Sequence, residues 1–156
     1  MNILMVCLGN ICRSPMAQGI LESKLRKINL HWNVDSAGTS GWHNGESPDT
    51  RAVVTCFKYG VDISSQRSRK FTHADFNDFD LIFTMDKSNF DNVLSLANSS
   101  SDMQKVKLLL EFDDPNNTQI EVPDPYFSNN FDEVFHLLDQ SMERIINKIQ
   151  SEILAY

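Results

Sequence analysis

Apolar residues in this chain fall into two patterns, short unbroken runs and longer stretches with helical spacing. The short runs predict four β-strands, over residues 2–7, 31–36, 80–85 and 105–112. The helical patterns predict four longer helices, over residues 16–28, 49–59, 86–97 and 130–153. Because strands and helices alternate along the chain, we expect an α/β fold, with a four-stranded parallel sheet and helices on both faces.

Two stretches lack both patterns and are predicted to be loops. Residues 37–48 are rich in Gly, Ser and Asn, and residues 113–128 contain three prolines. In sheets of the predicted kind, ligands bind beyond the carboxyl ends of the strands. The chain has the length of one domain, so we expect residues 1–156 to form a single domain.

The charge balance narrows the class of partner. The chain carries 14 Lys and Arg against 21 Asp and Glu, a net charge of −7, which argues against nucleic acid or a membrane surface as the main partner. The first apolar run is too short for a signal peptide or a membrane span, so we expect a cytoplasmic protein. Three cysteines do not suggest a disulfide framework, and four scattered histidines have no metal-ligand spacing.

The stretch after the first predicted strand has the features of an anion-binding loop. It runs from Cys7 through Gly9-Asn10 to Arg13, and a helical pattern follows at once. Such a loop can turn its backbone N–H groups inward and surround an anion together with the next helix N-terminus. Arg13 adds a planar fork that can hold two phosphate oxygens. Ser14-Pro15 are predicted as the N-cap and the first residue of the helix.

Cys7 admits two interpretations. A cysteine at the end of a buried strand is commonly an inert, small apolar residue. At the base of an anion-binding loop, however, the positive field favours the thiolate, a nucleophile positioned for attack at phosphorus. The spacing between Cys7 and Arg13 occurs by chance in many proteins, but the flanking strand and helix favour the second interpretation.

Phosphoryl transfer from an ester also needs a proton donor for the leaving oxygen, and a carboxylic acid is the usual one. Two Asp-Pro pairs are candidates, Asp114-Pro115 and Asp124-Pro125. Turn formation fully explains the first pair, which two asparagines follow. The second pair precedes Tyr126 and the last predicted helix, but by itself it is also typical of a turn.

Several segments together resemble the low-molecular-weight protein tyrosine phosphatases over nearly the whole chain. These segments are residues 6–15, 35–42, 45–49 and 124–126. The resemblance implies that Cys7 is the nucleophile, that Arg13 binds phosphate, and that Asp124 is the general acid and base. It also implies residues that bind phosphate or support the loop, namely Leu8, Gly9, Asn10, Ile11, Cys12, Ser14 and Ser36. In the family Ser36 would bond Asn10, and Trp42 and Tyr126 would form the walls around the substrate ring.

Two positions refine the resemblance. Ile11 marks the tyrosine phosphatases of the family, whereas related arginine phosphatases carry Thr there. The segment Gly60–Arg69 usually carries a His at the position of Gln66, and that His supports Asn10. The departure leaves open whether Gln66 also holds Asn10 in this chain or Ser36 holds it alone.

The resemblance therefore implies a phosphatase domain that hydrolyses phosphotyrosine through a phosphocysteine on Cys7. We expect no metal and no other cofactor, because Arg13 and the loop supply the positive field. The expected partners are phosphotyrosine-bearing proteins, with inorganic phosphate as product and inhibitor. An arsenate reductase is an alternative with the same loop, but it would need further cysteines near the third strand, and only Cys56 remains. A catalytically dead phosphotyrosine-binding module would be expected to lack Cys7, Arg13 or Asp124.

Overall fold

The computed structural model describes residues 1–155. Its sheet consists of β1 Asn2–Cys7, β2 Asn33–Gly38, β3 Leu81–Thr84 and β4 Val106–Leu108. All neighbouring strands pair in parallel, in the order β2-β1-β3-β4. The predicted four-stranded parallel sheet is confirmed, and the strand that ends at Cys7 lies inside it.

Eight helices occur within the described residues. They are α1 Arg13–Lys27, α2 Thr50–Lys58, α3 Asp75–Asp78, α4 Lys87–Ser95, α5 Ser100–Lys105, α6 Leu109–Asp113, α7 Pro125–Ser128 and α8 Phe131–Leu154. The long helices α1, α2, α4 and α8 correspond to the predicted ones. The short helices α3, α5, α6 and α7 were not predicted, because about one turn is too short to show a periodic pattern.

The core lies on both faces of the sheet. Ile3 and Met5 of β1 belong to the core cluster shared with α1 and α8, whereas Leu4 and Val6 belong to the cluster that α3 and α4 cover. All four side chains are fully buried. A strand covered on both faces reads as an unbroken apolar run, which is why the sequence pattern identified β1.

The fourth predicted strand is wrong in its second half. β4 ends at Leu108, and α6 begins at Leu109. Leu109 and Leu110 are fully buried in the core. An unbroken apolar run suits a buried strand and a buried helix equally well, so the pattern could not separate the two.

The start of α1 also differs from the prediction. The helix begins at Arg13 with Cys12 at the N-cap position, so Ser14 lies inside the first turn and is not the N-cap. The predicted loop over residues 113–128 contains α7, with Asp124 as its N-cap. No helix within residues 1–155 combines the length and apolar character needed to cross a membrane.

Candidate active site

The loop between β1 and α1, residues 8–12, lines a cleft of about 230 Å³. The cleft lies at the carboxyl end of β1, where the fold class predicts ligand binding. Its lining residues come from three segments of the chain and are Cys7, Leu8, Gly9, Ile11, Cys12, Arg13, Trp42, His43, Asp124, Tyr126 and Phe127. Every predicted catalytic side chain is therefore in contact with one cavity.

Neighbouring segments hold four of the carbonyl groups of residues 7–12. The donors are Thr39 N to Cys7 O (2.9 Å), Ser40 N to Leu8 O (2.9 Å), Ser68 Oγ to Gly9 O (3.1 Å) and Asp49 N to Ile11 O (2.8 Å). By contrast, no backbone carbonyl within residues 1–155 accepts from the N–H groups of residues 8–14. These N–H groups are available to an anion, and the N-terminus of α1 adds its partial positive charge.

The path of the loop depends on two special backbone positions. Asn10 has φ 55°, the left-handed region that Asn tolerates better than most residues. Gly38, the last residue of β2, passes so close that a Cβ there would lie 2.8 Å from Leu8 O. Glycine is thus required at the end of β2 for the loop to pack against the sheet.

The Asn10 side chain ties the loop to its surroundings. Its Nδ2 donates to Ser14 Oγ at 2.8 Å and to Ser36 Oγ at 2.9 Å, and its Oδ1 accepts from Arg69 N at 3.0 Å. Because a backbone N–H can only donate, the Arg69 contact fixes which end of the amide carries the oxygen. The bond between Ser36 and Asn10 that the resemblance implied is present.

The sulfur of Cys7 lies 3.0 Å from Ser14 Oγ, and both side chains are buried. Since Ser14 Oγ already accepts a hydrogen bond from Asn10 Nδ2, the Ser14 hydroxyl proton is free to point at the sulfur. A hydroxyl donor in a buried site stabilises a thiolate more than a thiol.

Arg13 is buried among acceptors at the start of α1. Its Nη1 donates to Asp86 Oδ2 at 2.7 Å and to Val122 O at 3.1 Å, and its Nη2 lies 3.5 Å from Asp124 Oδ2. Burial by itself would lower the pKa of Arg13, but the Cys7 sulfur, Asp86 and Asp124 outweigh it and hold the pKa above its usual value. The guanidinium is therefore a permanent positive charge beside Cys7.

The two Asp-Pro pairs lie in different surroundings. Asp124 lines the cleft, and its Oδ1 accepts from Tyr126 N at 3.1 Å as the cap of α7. Asp114 follows α6 as its C-cap residue, and its Oδ1 accepts from Asn116 N at 3.0 Å in a local turn. Only Asp124 is thus placed to reach a ligand in the cleft.

Aromatic rings border the mouth of the cleft. Trp42 is 77% exposed and Tyr126 is 43% exposed, so both present ring surface to the solvent. Arg51 Nη1 donates to Tyr126 O at 3.1 Å, and its guanidinium carbon lies 5.3 Å from the Tyr126 ring centroid. Arg51 of α2 therefore holds Tyr126 in place, whereas Trp42 belongs to the loop after β2.

The remaining cysteines differ from Cys7 in their surroundings. Cys12 is buried, and burial together with the nearby Asp49 and Cys7 raises the pKa of its thiol well above the usual value. Cys56 is fully buried in α2, and burial raises the pKa of its thiol to about 12. Both side chains are held as thiols at neutral pH.

Gln66 does not support Asn10. Its Nε2 donates to Pro15 O at 3.1 Å, and its Oε1 is buried without a hydrogen-bond partner in the described structure. The contacts to Asn10 come instead from Ser14, Ser36 and the backbone of Arg69. The open question about loop support is thus resolved in favour of Ser36.

Sequence reasoning missed three residues at or beside the cleft. Asp86 pairs with Arg13, and its position directly after the predicted strand over residues 80–85 was a signal for it. Phe127 is adjacent to Tyr126 and is 88% exposed. His43 lines the cleft and has its Nδ1 2.7 Å from Glu46 Oε2. Nothing in the loop composition marked His43 in advance.

Comparison with known proteins gives one consistent family. The family profile described as low molecular weight phosphotyrosine protein phosphatase matches residues 2–154. The low molecular weight protein-tyrosine-phosphatase PtpA of Staphylococcus aureus is 40% identical, over 95% of this chain and 93% of the relative. The crystal structure of YfkJ from Bacillus subtilis has a TM-score of 0.89 at 36% identity, over 97% of this chain and 96% of that chain. A Drosophila arginine phosphatase has a TM-score of 0.88 at 34% identity, over 96% of this chain and 98% of that chain.

Proposed function

The chain belongs to the low molecular weight phosphotyrosine protein phosphatase family, and on that premise we propose that it hydrolyses phosphotyrosine in proteins, and small aryl phosphates, through a phosphocysteine on Cys7. The observation that carries the proposal is the meeting of three groups at one cleft. The Cys7 sulfur, the buried Arg13 guanidinium and the Asp124 carboxyl group all line it.

In the first step the Cys7 thiolate attacks phosphorus, and the bond from phosphorus to the phenolic oxygen breaks. Arg13 and the free N–H groups of residues 8–14 hold the equatorial oxygens, where charge develops. Asp124, acting as the general acid, gives a proton to the departing oxygen, so that a neutral phenol leaves. The products of this step are the phenol, the phosphocysteine and the Asp124 carboxylate.

In the second step water attacks the phosphocysteine. The Asp124 carboxylate takes a proton from the water, the phosphorus–sulfur bond breaks, and inorganic phosphate and the Cys7 thiolate form. The hydroxyl of Ser14 donates to the departing thiolate, consistent with the 3.0 Å separation of Ser14 Oγ and the sulfur. Phosphate held by the same N–H groups would compete with substrate, so the product is also an inhibitor.

The cleft suits a flat ring. Trp42 and Tyr126 line the same cleft of about 230 Å³ as Cys7, so a substrate ring would contact the two aromatic side chains while its phosphate is bound at Cys7. The fold resembles tyrosine and arginine phosphatases alike, so overall shape does not decide between the two substrates. Ile11, which lines the cleft, favours phosphotyrosine over phosphoarginine by the family pattern.

A thiol-dependent arsenate reductase is the less favoured alternative. It requires a second cysteine that can reach the first and become oxidised with it. Cys56 is fully buried in the core and does not line the cleft. Cys12 does line it, so a test of the alternative must include this residue.

Turnover of p-nitrophenyl phosphate and of a phosphotyrosine peptide in EDTA, with and without added thiol, tests the proposal. We expect phosphate release from both substrates without thiol, little release from a phosphoarginine peptide, and none from either substrate in Cys7→Ser. Cys7→Ser should still bind phosphate, because the cradle consists mainly of backbone N–H groups. Turnover that persists in Cys7→Ser would refute the proposal, and arsenate-dependent thiol consumption lost in Cys12→Ser would favour the reductase.

A further inference from the structure

The hydrogen bonds around Asn10 continue away from the cleft to Gln18, a residue of α1 without a role in the steps above. Ser36 Oγ lies 2.7 Å from Gln18 Oε1, and Gln18 Nε2 lies 3.0 Å from Glu22 Oε1. Gln18 is only 9% exposed. A buried polar side chain that makes several good contacts contributes to the orientation of its partners.

The donor and acceptor of each hydrogen bond between Gln18 and Cys7 can be assigned by starting at Gln18. Gln18 Nε2 faces two acceptors, the Glu22 carboxyl group and Val34 O at 3.5 Å. The amide nitrogen must therefore point toward them, and Gln18 Oε1 must point toward Ser36. Burial raises the pKa of Glu22, while the bond from Gln18 acts in the opposite direction, as expected of a donor.

The remaining directions follow one by one. The single hydroxyl proton of Ser36 is used in the hydrogen bond to Gln18 Oε1, so Ser36 Oγ can only accept the hydrogen bond from Asn10 Nδ2. The second N–H of the Asn10 amide goes to Ser14 Oγ. Ser14 in turn has only the Cys7 sulfur as a nearby acceptor in the described structure. Each assigned hydrogen bond therefore leaves a single possible direction for the next one, and the last of them directs the Ser14 hydroxyl at the Cys7 sulfur.

We propose that Gln18 is a positioning residue, which through Ser36 and Asn10 keeps the Ser14 hydroxyl directed at the Cys7 sulfur. This inference rests on the proposed function, because the orientation matters only where Cys7 acts as nucleophile and leaving group. Without an acceptor at position 18, the Ser36 hydroxyl rotates freely and Asn10 loses a fixed partner. The consequence falls on the thiolate and not on the N–H groups that bind phosphate.

Gln18→Met tests this role, because methionine has a similar length and keeps the packing but lacks the amide oxygen that accepts the hydrogen bond from Ser36. We expect kcat for p-nitrophenyl phosphate to fall roughly 3- to 10-fold, the size of one lost hydrogen bond, while kcat/KM and vanadate affinity stay unchanged. The slower step should be hydrolysis of the phosphocysteine, seen as a larger initial burst of p-nitrophenol. Gln140→Met, the same change at an exposed position of α8, is the matched control.

A swap of the two side chains provides the rescue. Gln18→Glu alone places two carboxylates about 3 Å apart, and we expect it to lower kcat. Adding Glu22→Gln restores a donor opposite an acceptor, with a carboxylate oxygen still facing Ser36, and should recover most of the lost kcat. The swap remains informative even if Gln18→Met does not fold, which urea unfolding of each variant reports.

The outcomes separate this inference from the proposed function. An inactive wild-type chain, or an active Cys7→Ser, refutes the phosphatase mechanism itself. A wild-type chain that works through Cys7, with Gln18→Met equal to Gln140→Met in kcat and burst size, overturns the role of Gln18. Equal losses in kcat and phosphate affinity, or a swap variant no better than Gln18→Glu, also overturn it.

Discussion

Replacing Asp86 by Asn tests how the buried charge of Arg13 is held. Asp86 Oδ2 accepts from Arg13 Nη1 at 2.7 Å, where the side chains of Arg13 and Asp86 are 4% and 20% exposed. The other oxygen, Asp86 Oδ1, accepts from Asn89 N at 2.8 Å as the cap of α4. Asparagine can keep this cap, so Asp86→Asn removes the charge with little change in shape.

The expected loss in stability follows from the partners that remain. Removing one member of a buried ion pair costs about 3–5 kcal/mol, because the other charge stays buried without compensation. Arg13 keeps Val122 O at 3.1 Å and Asp124 at 3.5 Å. We therefore expect a loss below that range, about 2–3 kcal/mol, or roughly 4–12 °C in Tm for a domain of this size.

Urea unfolding followed by tryptophan fluorescence measures the loss, and Asp91→Asn is the matched control. Asp91 is an exposed residue of the same helix, α4, so its replacement should change stability little. Inorganic phosphate supplies a negative charge beside Arg13 and should stabilise Asp86→Asn more than the wild-type chain. Equal stability of Asp86→Asn and Asp91→Asn would show that Asp86 does not hold the Arg13 charge.

Three further substitutions test other parts of the site. Asp124→Ala should lower kcat for poor leaving groups roughly 10²–10⁴-fold and less for activated phenols, whereas Asp114→Ala should have little effect; equal losses in a leaving-group series would contradict the assignment of the acid. Peroxide should inactivate the chain reversibly, because Cys7 sulfenic acid can condense with the Cys12 thiol to a disulfide and water; recovery by dithiothreitol that is unchanged in Cys12→Ser would contradict this. Gln66→Ala should keep kcat within about twofold, because Gln66 does not bond Asn10 and the substitution removes a buried oxygen that has no hydrogen-bond partner in the described structure. A large loss in kcat at unchanged stability would show that Gln66 acts on the loop.

Local patterns were sufficient for β1, the loop and the body of α1, although not for the residue at which α1 begins. The apolar run of β1 is covered on both faces, and Asn10 is a residue type that tolerates the left-handed conformation found there. Cys7 ends β1 and Arg13 begins α1, with only the five-residue loop between them, so their proximity is a matter of short-range geometry. The same reasoning failed for residues 109–112, where one apolar run fits a strand or a helix.

Longer-range features of the site needed a family pattern or the structure. Asp124 and Asp114 carry the same local signal, Asp followed by Pro, and composition alone cannot tell which of them lies in the cleft. The resemblance pointed to Asp124, and the cleft is where its side chain lies. The resemblance left open whether Gln66 contacts Asn10, and only the tertiary structure shows that Gln66 donates to Pro15 O instead.

The sequence by itself determined the α/β fold class and the anion-binding loop after β1, because both depend on residues that are neighbours in the chain. Only the tertiary structure decided that Asp86 pairs with Arg13 and that His43 and Phe127 line the cleft. It also decided that Ser36 forms hydrogen bonds to both Gln18 and Asn10. These contacts join residues from 18 to more than 70 positions apart. The direction of a hydrogen bond and the burial of a charge depend on which distant groups packing brings together, and no local pattern contains that information.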